Sequence, residues 1–429
     1  MKVYLQTLGC PKNIVDSEIL LGILYAQGIR LIEDARHADC IIINTCAFLL
    51  SAREEAIETI FDAIRLKKAG SCKTIIVVGC LPQKYRKELE QELPEVDYFF
   101  DQLDFVQIGK KLKTLLGFDG KLREDRYLLT PPHYAYLKIA EGCDNNCSYC
   151  TIPSIKGNYV SREPEKILNE ASRLVAAGVL ELIVIAQDTT YYGKDRNGMQ
   201  LSVLLHELST INDLKWLRLM YTYPRHLDRE VLQEIRDNRK LCKYIDLPIQ
   251  HIADSILRSM NRRMRSDDIK HLLDEIRAQI PEVAIRTTVI VGYPGETDRE
   301  FNELRDFIKD SRFERLGIFK YSREEDTRAA ELDDQVPEQV MDERYEELME
   351  IQESISFDRN RKLIGRSLEV IVDEFDEHEK RYIGRTQWDS PEIDNRVLLE
   401  NQARPGSFVT VKVTQAYEYD IAGSVSDPG

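Results

Sequence analysis

Residues 135–150, AYLKIAEGCDNNCSYC, decide how the rest of the chain is read. A β-rich run, Leu137 to Ala140, leads into three cysteines, Cys143, Cys147 and Cys150, spaced C-x3-C-x2-C. A loop directly after a strand is where an α/β barrel carries its reactive groups. Thiolates are soft ligands, and three on one loop can hold three irons of a [4Fe-4S] cube while the fourth iron stays open. Structural zinc also uses closely spaced cysteines, but it normally takes four ligands, and no fourth Cys or His lies near this loop.

Downstream, strand-like runs recur at Leu182 to Gln187, Trp216 to Tyr221, Tyr244 to Leu247, Ile285 to Val291 and Leu316 to Tyr321, separated by amphipathic helical segments. Six βα units suggest a parallel sheet curled into a partial (β/α)6 barrel over residues 135–359, with its active face at the strand C-termini. A charged helix from about Pro337 to Leu363 closes that unit. Short runs at Leu368 to Val372, Tyr382 to Thr386, Val397 to Leu399 and Phe408 to Val413 then predict a small antiparallel β-barrel over residues 360–429.

Upstream, Val3 to Leu8, Cys40 to Thr45 and Thr74 to Gly79 alternate with helical patterns, so residues 1–116 read as a small open α/β sheet. Ser51 with Glu54 predicts a capping box before the run Ala56 to Ile64, and Gly70 predicts the end of that helix. Residues 117–134, with Gly117, Gly120 and Thr130-Pro131-Pro132, lose the periodicity and read as a linker. In this first unit Cys10, Cys46 and Cys80 each fall just past a predicted strand end, 36 and 34 residues apart. Open α/β sheets gather ligands at that edge, so the three should converge into a second three-thiolate cradle. Cys40, Cys72 and Cys242 read as ordinary core residues.

The composition agrees with metal rather than disulfide chemistry. Nine cysteines is an odd number for a disulfide framework, and the opening MKVYLQTLGC alternates like a strand without a signal-peptide apolar core. No apolar run approaches the roughly 20 residues that span a bilayer, so a cytoplasmic protein with no membrane partner is expected. A net charge of −15 disfavours a nucleic-acid binder relying on a broad basic surface and favours a basic partner. The seven histidines are scattered without ligand spacing, and His251 reads as a hydrogen-bonding core or cleft residue.

The spacing of Cys143, Cys147 and Cys150 resembles that of the radical S-adenosylmethionine (SAM) superfamily. The resemblance implies that the open iron chelates the amino and carboxylate groups of SAM, and that reduction by an electron donor yields a 5′-deoxyadenosyl radical. It implies that Tyr149 lies against the adenine. Val291-Gly292-Tyr293-Pro294-Gly295-Glu296 resembles the superfamily segment whose backbone lines the adenine, with Gly292 allowing close approach. Gln187, Gln250 and Arg286, near strand C-termini, are candidates for further SAM contacts or for simple barrel-interior roles, and Arg286 suits a carboxylate.

Two cysteine triplets, one in an α/β unit before the barrel, together with a small β-barrel after it, resemble the methylthiotransferases over the whole chain. Leu8-Gly9-Cys10-Pro11-Lys12-Asn13 with Val15-Asp16-Ser17-Glu18 is similar to the branch that modifies ribosomal protein S-twelve; the tRNA branch usually carries Gln-Met or similar between the cysteine and Asn. Glu141-Gly142-Cys143-Asp144, Lys156-Gly157, Ser161-Arg162, Ala186-Gln187-Asp188-Thr189-Thr190 and Pro248-Ile249-Gln250-His251 point the same way, with Lys156 where many relatives have Arg. The implied reaction puts a methylthio group on the β-carbon of an aspartate, with two [4Fe-4S] clusters and SAM as cofactors. A C–H bond of that kind has no useful acidity, so no catalytic triad is expected. The terminal module resembles the TRAM domain. Its residues 360–429 hold 9 Lys and Arg against 13 Asp and Glu, which steers towards a basic protein and away from a nucleic-acid substrate. Two alternatives remain at this point: a tRNA methylthiotransferase, and a non-enzymatic iron–sulfur or zinc scaffold, which leaves the six-unit barrel unexplained.

Overall fold

The computed structural model describes residues 1–101, 105–117, 125–196 and 198–427. The first unit is a five-stranded parallel sheet in the order Arg30–Leu31, Lys2–Thr7, Cys40–Thr45, Thr74–Gly79, Tyr98–Phe99. Its central strands are covered on both faces, which is why they read as near-continuous β-branched runs. Ile41, Ile43, Ile75 and Val77 pack on Ala56 and Ile60 of helix Leu50–Lys68. Ile42, Ile76 and Val78 pack on Leu20 and Leu24 of helix Pro11–Ala26 and on Ile108 and Leu112 of helix Phe105–Leu116.

Gly70, at φ +81°, ends helix Leu50–Lys68 as expected, but the capping box does not form. Leu49 occupies the cap position, and the Leu50 N–H donates to Glu324 Oε1 at 2.9 Å. A carboxylate of the central unit thus does the work assigned to Ser51. The described part of the linker before Tyr134 carries no helix or strand. Residues 118–124 lie outside the described residues, but residues 125–133 form a pinned strap. Arg126 is buried in ion pairs with Glu18 and Glu170, and the strap passes so close over Gly22 that a Cβ there would sit 1.6 Å from the Asp125 carbonyl oxygen.

All six barrel strands are present. Tyr134–Lys138, Glu181–Ile185 and Trp216–Leu219 form one parallel sheet, and Tyr244–Asp246, Ala284–Val291 and Arg315–Lys320 form another. A parallel bridge between Leu217 and Leu241 joins them. Among the described residues the first and last strands do not pair with each other, so the barrel is partial.

The C-terminal unit is a closed five-stranded barrel: Ser367–Asp376, Arg381–Arg385, Val397–Leu399, Ile421–Asp427 and Phe408–Ala416 in order round the wall. Sequence reading missed the strand Ile421–Asp427. Its pairing with Val397–Leu399 is parallel, so the barrel is antiparallel at every pairing but one.

This unit closes the N-terminal end of the partial barrel through buried charge. Arg218 and Glu181, both fully buried, pair at 2.8 Å, and Arg218 also donates to the Gln387 carbonyl oxygen. Arg385 reaches both Glu181 and Asp373. The first unit covers the opposite end, where the barrel strands finish, through Lys138 with Asp16 and Arg53 with Glu324. Among the described residues no helix is long and apolar enough to cross a membrane.

Candidate active site between two cysteine triplets

The first triplet sits at the C-terminal edge of the five-stranded sheet. Cys10 is the cap residue of helix Pro11–Ala26, Cys46 follows strand Cys40–Thr45, and Cys80 opens helix Cys80–Glu92. Helix N-termini carry partial positive charge, and Cys10 and Cys80 both stand at one. Asn13 ties the loops together, donating to the Leu8 carbonyl oxygen at 2.8 Å and to that of Thr45 at 3.1 Å. Gly9, at φ +90°, lets the Cys10 loop press on Cys46: a Cβ there would lie 2.6 Å from Cys46 Cβ. Burial pushes the Cys80 thiol up to about 12, with the Lys156 ammonium pulling the other way.

The second triplet lies on the loop after strand Ala140–Glu141. Gly142 holds φ +79° where a Cβ would strike the Asn158 carbonyl oxygen at 2.1 Å. Ser148 Oγ donates to the Ser259 carbonyl oxygen and lies 2.8 Å from the Tyr293 hydroxyl, and Arg262 Nη1 lies 3.7 Å from Cys147 Sγ. Asn145 donates to buried Asp188, which also meets His226 Nδ1 at 2.7 Å. Among the described residues no three His, Cys, Asp or Glu converge tightly enough to hold a single metal ion. A cluster asks something different, because each thiolate binds a different iron.

A cavity of about 200 Å³ is lined by sequence neighbours of one cysteine from each triplet, though by none of the six cysteines themselves. Tyr149, Gln250, Thr288 and Ile290 line it from the barrel, and Phe48 and Leu49, just past Cys46, line it from the first unit. Gln250 holds φ +72°, which few non-glycine residues adopt. Its backbone is gripped by strand Ala284–Val291: its N–H donates to Thr288 and its carbonyl accepts from Ile290, both at 2.8 Å.

The other candidates sit differently. Gln187 donates to Glu141 Oε1 at 2.9 Å, and its own Oε1 is buried without a hydrogen-bond partner. Arg286 lies between Asp246 at 3.0 Å and Asp394 of the C-terminal unit at 3.4 Å. Gly292, at φ +74°, lies outside the cavity lining; a Cβ there would meet Met341 at 2.1 Å, so close helix packing already demands glycine. His251 is fully buried, accepting from the Ala253 N–H, with Nε2 3.2 Å from Glu296.

Sequence reading missed a charged floor between the triplets. Lys138 and Lys156 face Asp16 and Glu141, with Lys156 Nζ 3.2 Å from Glu141 and 4.0 Å from Asp16. Lys156 Nζ is buried with no hydrogen-bond partner among the described residues, and its charge is felt at Cys80 and Cys10. Lys12 stands over the Tyr221 ring, 3.3 Å from its centroid, and burial lowers its pKa. A signal was available in Asp16 and Lys156, which stand in quoted motifs, but nothing in one dimension aligns them. Three cysteine sulfurs at one sheet edge beside the Lys156 ammonium form a donor set that fits an anionic iron–sulfur group.

Residues 2–101 match uncharacterized protein family UPF0004, residues 137–308 the radical SAM superfamily and residues 364–425 the TRAM domain. The ribosomal protein uS12 methylthiotransferase RimO of Clostridioides difficile is 46% identical, over 99% of this chain and 99% of that one. The RimO proteins of Geotalea uraniireducens and Heliobacterium modesticaldum are 44% and 43% identical, over 99% and 100% of this chain and 98% and 96% of theirs. Among solved structures, the radical SAM methyltransferase TsrM of Kitasatospora setae, with cobalamin and a [4Fe-4S] cluster bound, superposes with a TM-score of 0.53 at 14% identity, covering 74% of each chain. That likeness shows a shared fold.

Proposed function

The chain belongs to the ribosomal protein uS12 methylthiotransferases, and from that premise we propose how its own residues divide the work. It is a radical SAM methylthiotransferase acting on uS12, the protein called S-twelve above. Cys143, Cys147 and Cys150 would hold one [4Fe-4S] cluster, and Cys10, Cys46 and Cys80 a second. When bound, the clusters supply an open iron and an electron for SAM cleavage and a seat for the sulfur to be transferred. The observation that carries this reading is the cavity lined jointly by Tyr149, beside Cys150, and by Phe48, beside Cys46.

Within that cavity Tyr149 offers an aromatic face to an adenine, and Gln250 a carboxamide held by a rigid backbone. The side chains of Phe48, Ile290 and Phe319 give the cavity an apolar lining for the reacting C–H bond. Gln187 and Arg286 contact SAM only by exchanging their carboxylate partners, and Gly292 only through its backbone. Lys156 places positive charge beside the first triplet, next to where an anionic cluster would sit. The target atom is the β-carbon of an aspartate. The enzyme works in the cytoplasm with an electron-donor protein and takes no nucleic acid as substrate.

The test is anaerobic reconstitution with iron and sulfide, then mass spectrometry of uS12 and of tRNA after incubation with SAM and dithionite. A methylthio group on uS12 alone supports the reading. A product on tRNA moves the substrate to nucleic acid, and intact SAM with no product defeats the radical assignment.

A further inference from the structure

The segment between helices Asp254–Ser259 and Ser266–Gln279 is out of character for this chain. In a protein of net charge −15, residues 255–266 carry Arg258, Arg262, Arg263 and Arg265 and no Asp or Glu. Arg258, Arg263 and Arg265 are exposed, and no ion pair holds any of them among the described residues. Elsewhere on the surface arginines commonly have a carboxylate: Arg196 with Glu163, Arg312 with Asp358, Arg396 with Asp420. Of the flanking carboxylates, Asp254 accepts the Ser266 N–H and Asp268 the Arg265 N–H, while Asp267 is exposed beside them. Arg225, also exposed and unpaired, lies in the turn Pro224–His226, which reaches the same loop through His226, Asp188 and Asn145.

This segment forms the outer wall of the Cys143–Cys150 loop. Ser148 N–H donates to the Met260 carbonyl oxygen, and Asn261 Nδ2 to that of Asn146 at 2.8 Å. Arg262 is the anchor: it is buried beside Cys147, donates to the Pro248 carbonyl oxygen, and stacks 4.1 Å from the Tyr223 ring centroid. Asn261 and Arg263 both hold left-handed backbone conformations, φ +57° and +54°. The opposite side of the loop faces the first unit, where Thr151 donates to the Phe48 carbonyl oxygen beside the cavity.

We propose that Arg258, Arg263 and Arg265 form the docking face for a small acidic electron-donor protein, which delivers electrons to the Cys143–Cys150 site from the side away from substrate. The proposal rests on the iron–sulfur reading of that triplet. One electron leaves the donor, which is oxidised, and enters the site, which is reduced; no bond forms or breaks between the proteins. Unpaired, solvated arginines beside a redox centre raise the encounter rate of an acidic partner, and such steering fades with salt. Single-stranded RNA is the less suited occupant, because residues 255–266 contain no aromatic side chain on which bases could stack.

The experiment compares reconstituted holoenzyme with the R258E/R263E/R265E variant, using flavodoxin hydroquinone as the acidic probe and dithionite as the small-molecule control. Cluster bleaching by flavodoxin should slow at least tenfold in the variant at low salt, and calorimetric binding of oxidised flavodoxin should be lost. Dithionite-driven SAM cleavage should stay at the wild-type rate, and R258K/R263K/R265K should restore docking. In the wild type, 0.3 M salt should erase most of the flavodoxin advantage. With dithionite-driven cleavage intact, a flavodoxin rate indifferent to both charge reversal and salt overturns the docking face and leaves the enzymatic reading standing. Equal losses with flavodoxin and dithionite, or loss of binding only to a single-stranded RNA oligonucleotide, overturn it as well.

Discussion

Asp16→Asn probes whether the charged floor holds the first unit on the barrel. Asp16 comes from helix Pro11–Ala26, while Lys138 ends the first barrel strand and Lys156 follows the second cysteine triplet. Their side chains are 2%, 8% and 3% exposed. The substitution leaves two buried ammonium groups with Glu141 as their remaining carboxylate. Breaking a buried pair by removing one partner costs about 3–5 kcal/mol, a large part of a total stability of about 5–15 kcal/mol. Urea unfolding of the cluster-free protein, followed by circular dichroism and by fluorescence of Trp216 and Trp388, reads this cost where the two transitions coincide. Adding Lys138→Met should recover at least about 1 kcal/mol, because one uncompensated charge leaves with it. A loss below about 1 kcal/mol for Asp16→Asn, or simple addition of the two losses, would refute the reasoning.

Three further outcomes follow from the geometry. Cys147→Ala should lower reconstituted iron from about eight to about four per chain and abolish SAM cleavage, whereas Cys46→Ala should show the same iron loss but keep SAM cleavage without a methylthio product. Gly9→Ala, strained at φ +90° and clashing with Cys46, should reproduce the Cys46→Ala iron count although every cysteine remains; full iron loading would show that the loop can yield. Burial works against ionisation of Glu170, but Arg162 and Arg126 together hold its pKa below the usual carboxylate value. Its contribution is therefore complete above the unfolded pKa of about 4.3 and lost as pH falls through the lowered folded value. The stability gap between wild type and Glu170→Gln should be constant from pH 6 to 8 and shrink below about pH 4; a gap that widens in acid would contradict the sign.

The legible parts of this protein were those written locally. C-x3-C-x2-C marked a cysteine loop that does follow a strand, and continuous β-branched runs announced strands buried on both faces. The cap of helix Leu50–Lys68 was misread because its acceptor, Glu324, lies 274 residues away. Strand Ile421–Asp427 was missed because its alternation is interrupted by Gly423 and serines. Arg286 suited a ligand carboxylate by chemistry alone, but the C-terminal unit supplies Asp394 to it across the barrel wall.

By itself the sequence determined the runs of strand and helix and the spacing of six cysteines past strand ends, because periodicity and spacing are properties of neighbouring residues. Only the tertiary structure decided which groups come together: Phe48 with Tyr149 around one cavity, Asp16 with Lys138 and Lys156 in one buried charge cluster, and Arg262 beside Cys147. Arg262 and Cys147 are 115 residues apart and Asp16 and Lys138 are 122 apart, so no local pattern brings them together. Burial makes an unpaired charge costly, so each buried charge selects a partner that no local pattern encodes.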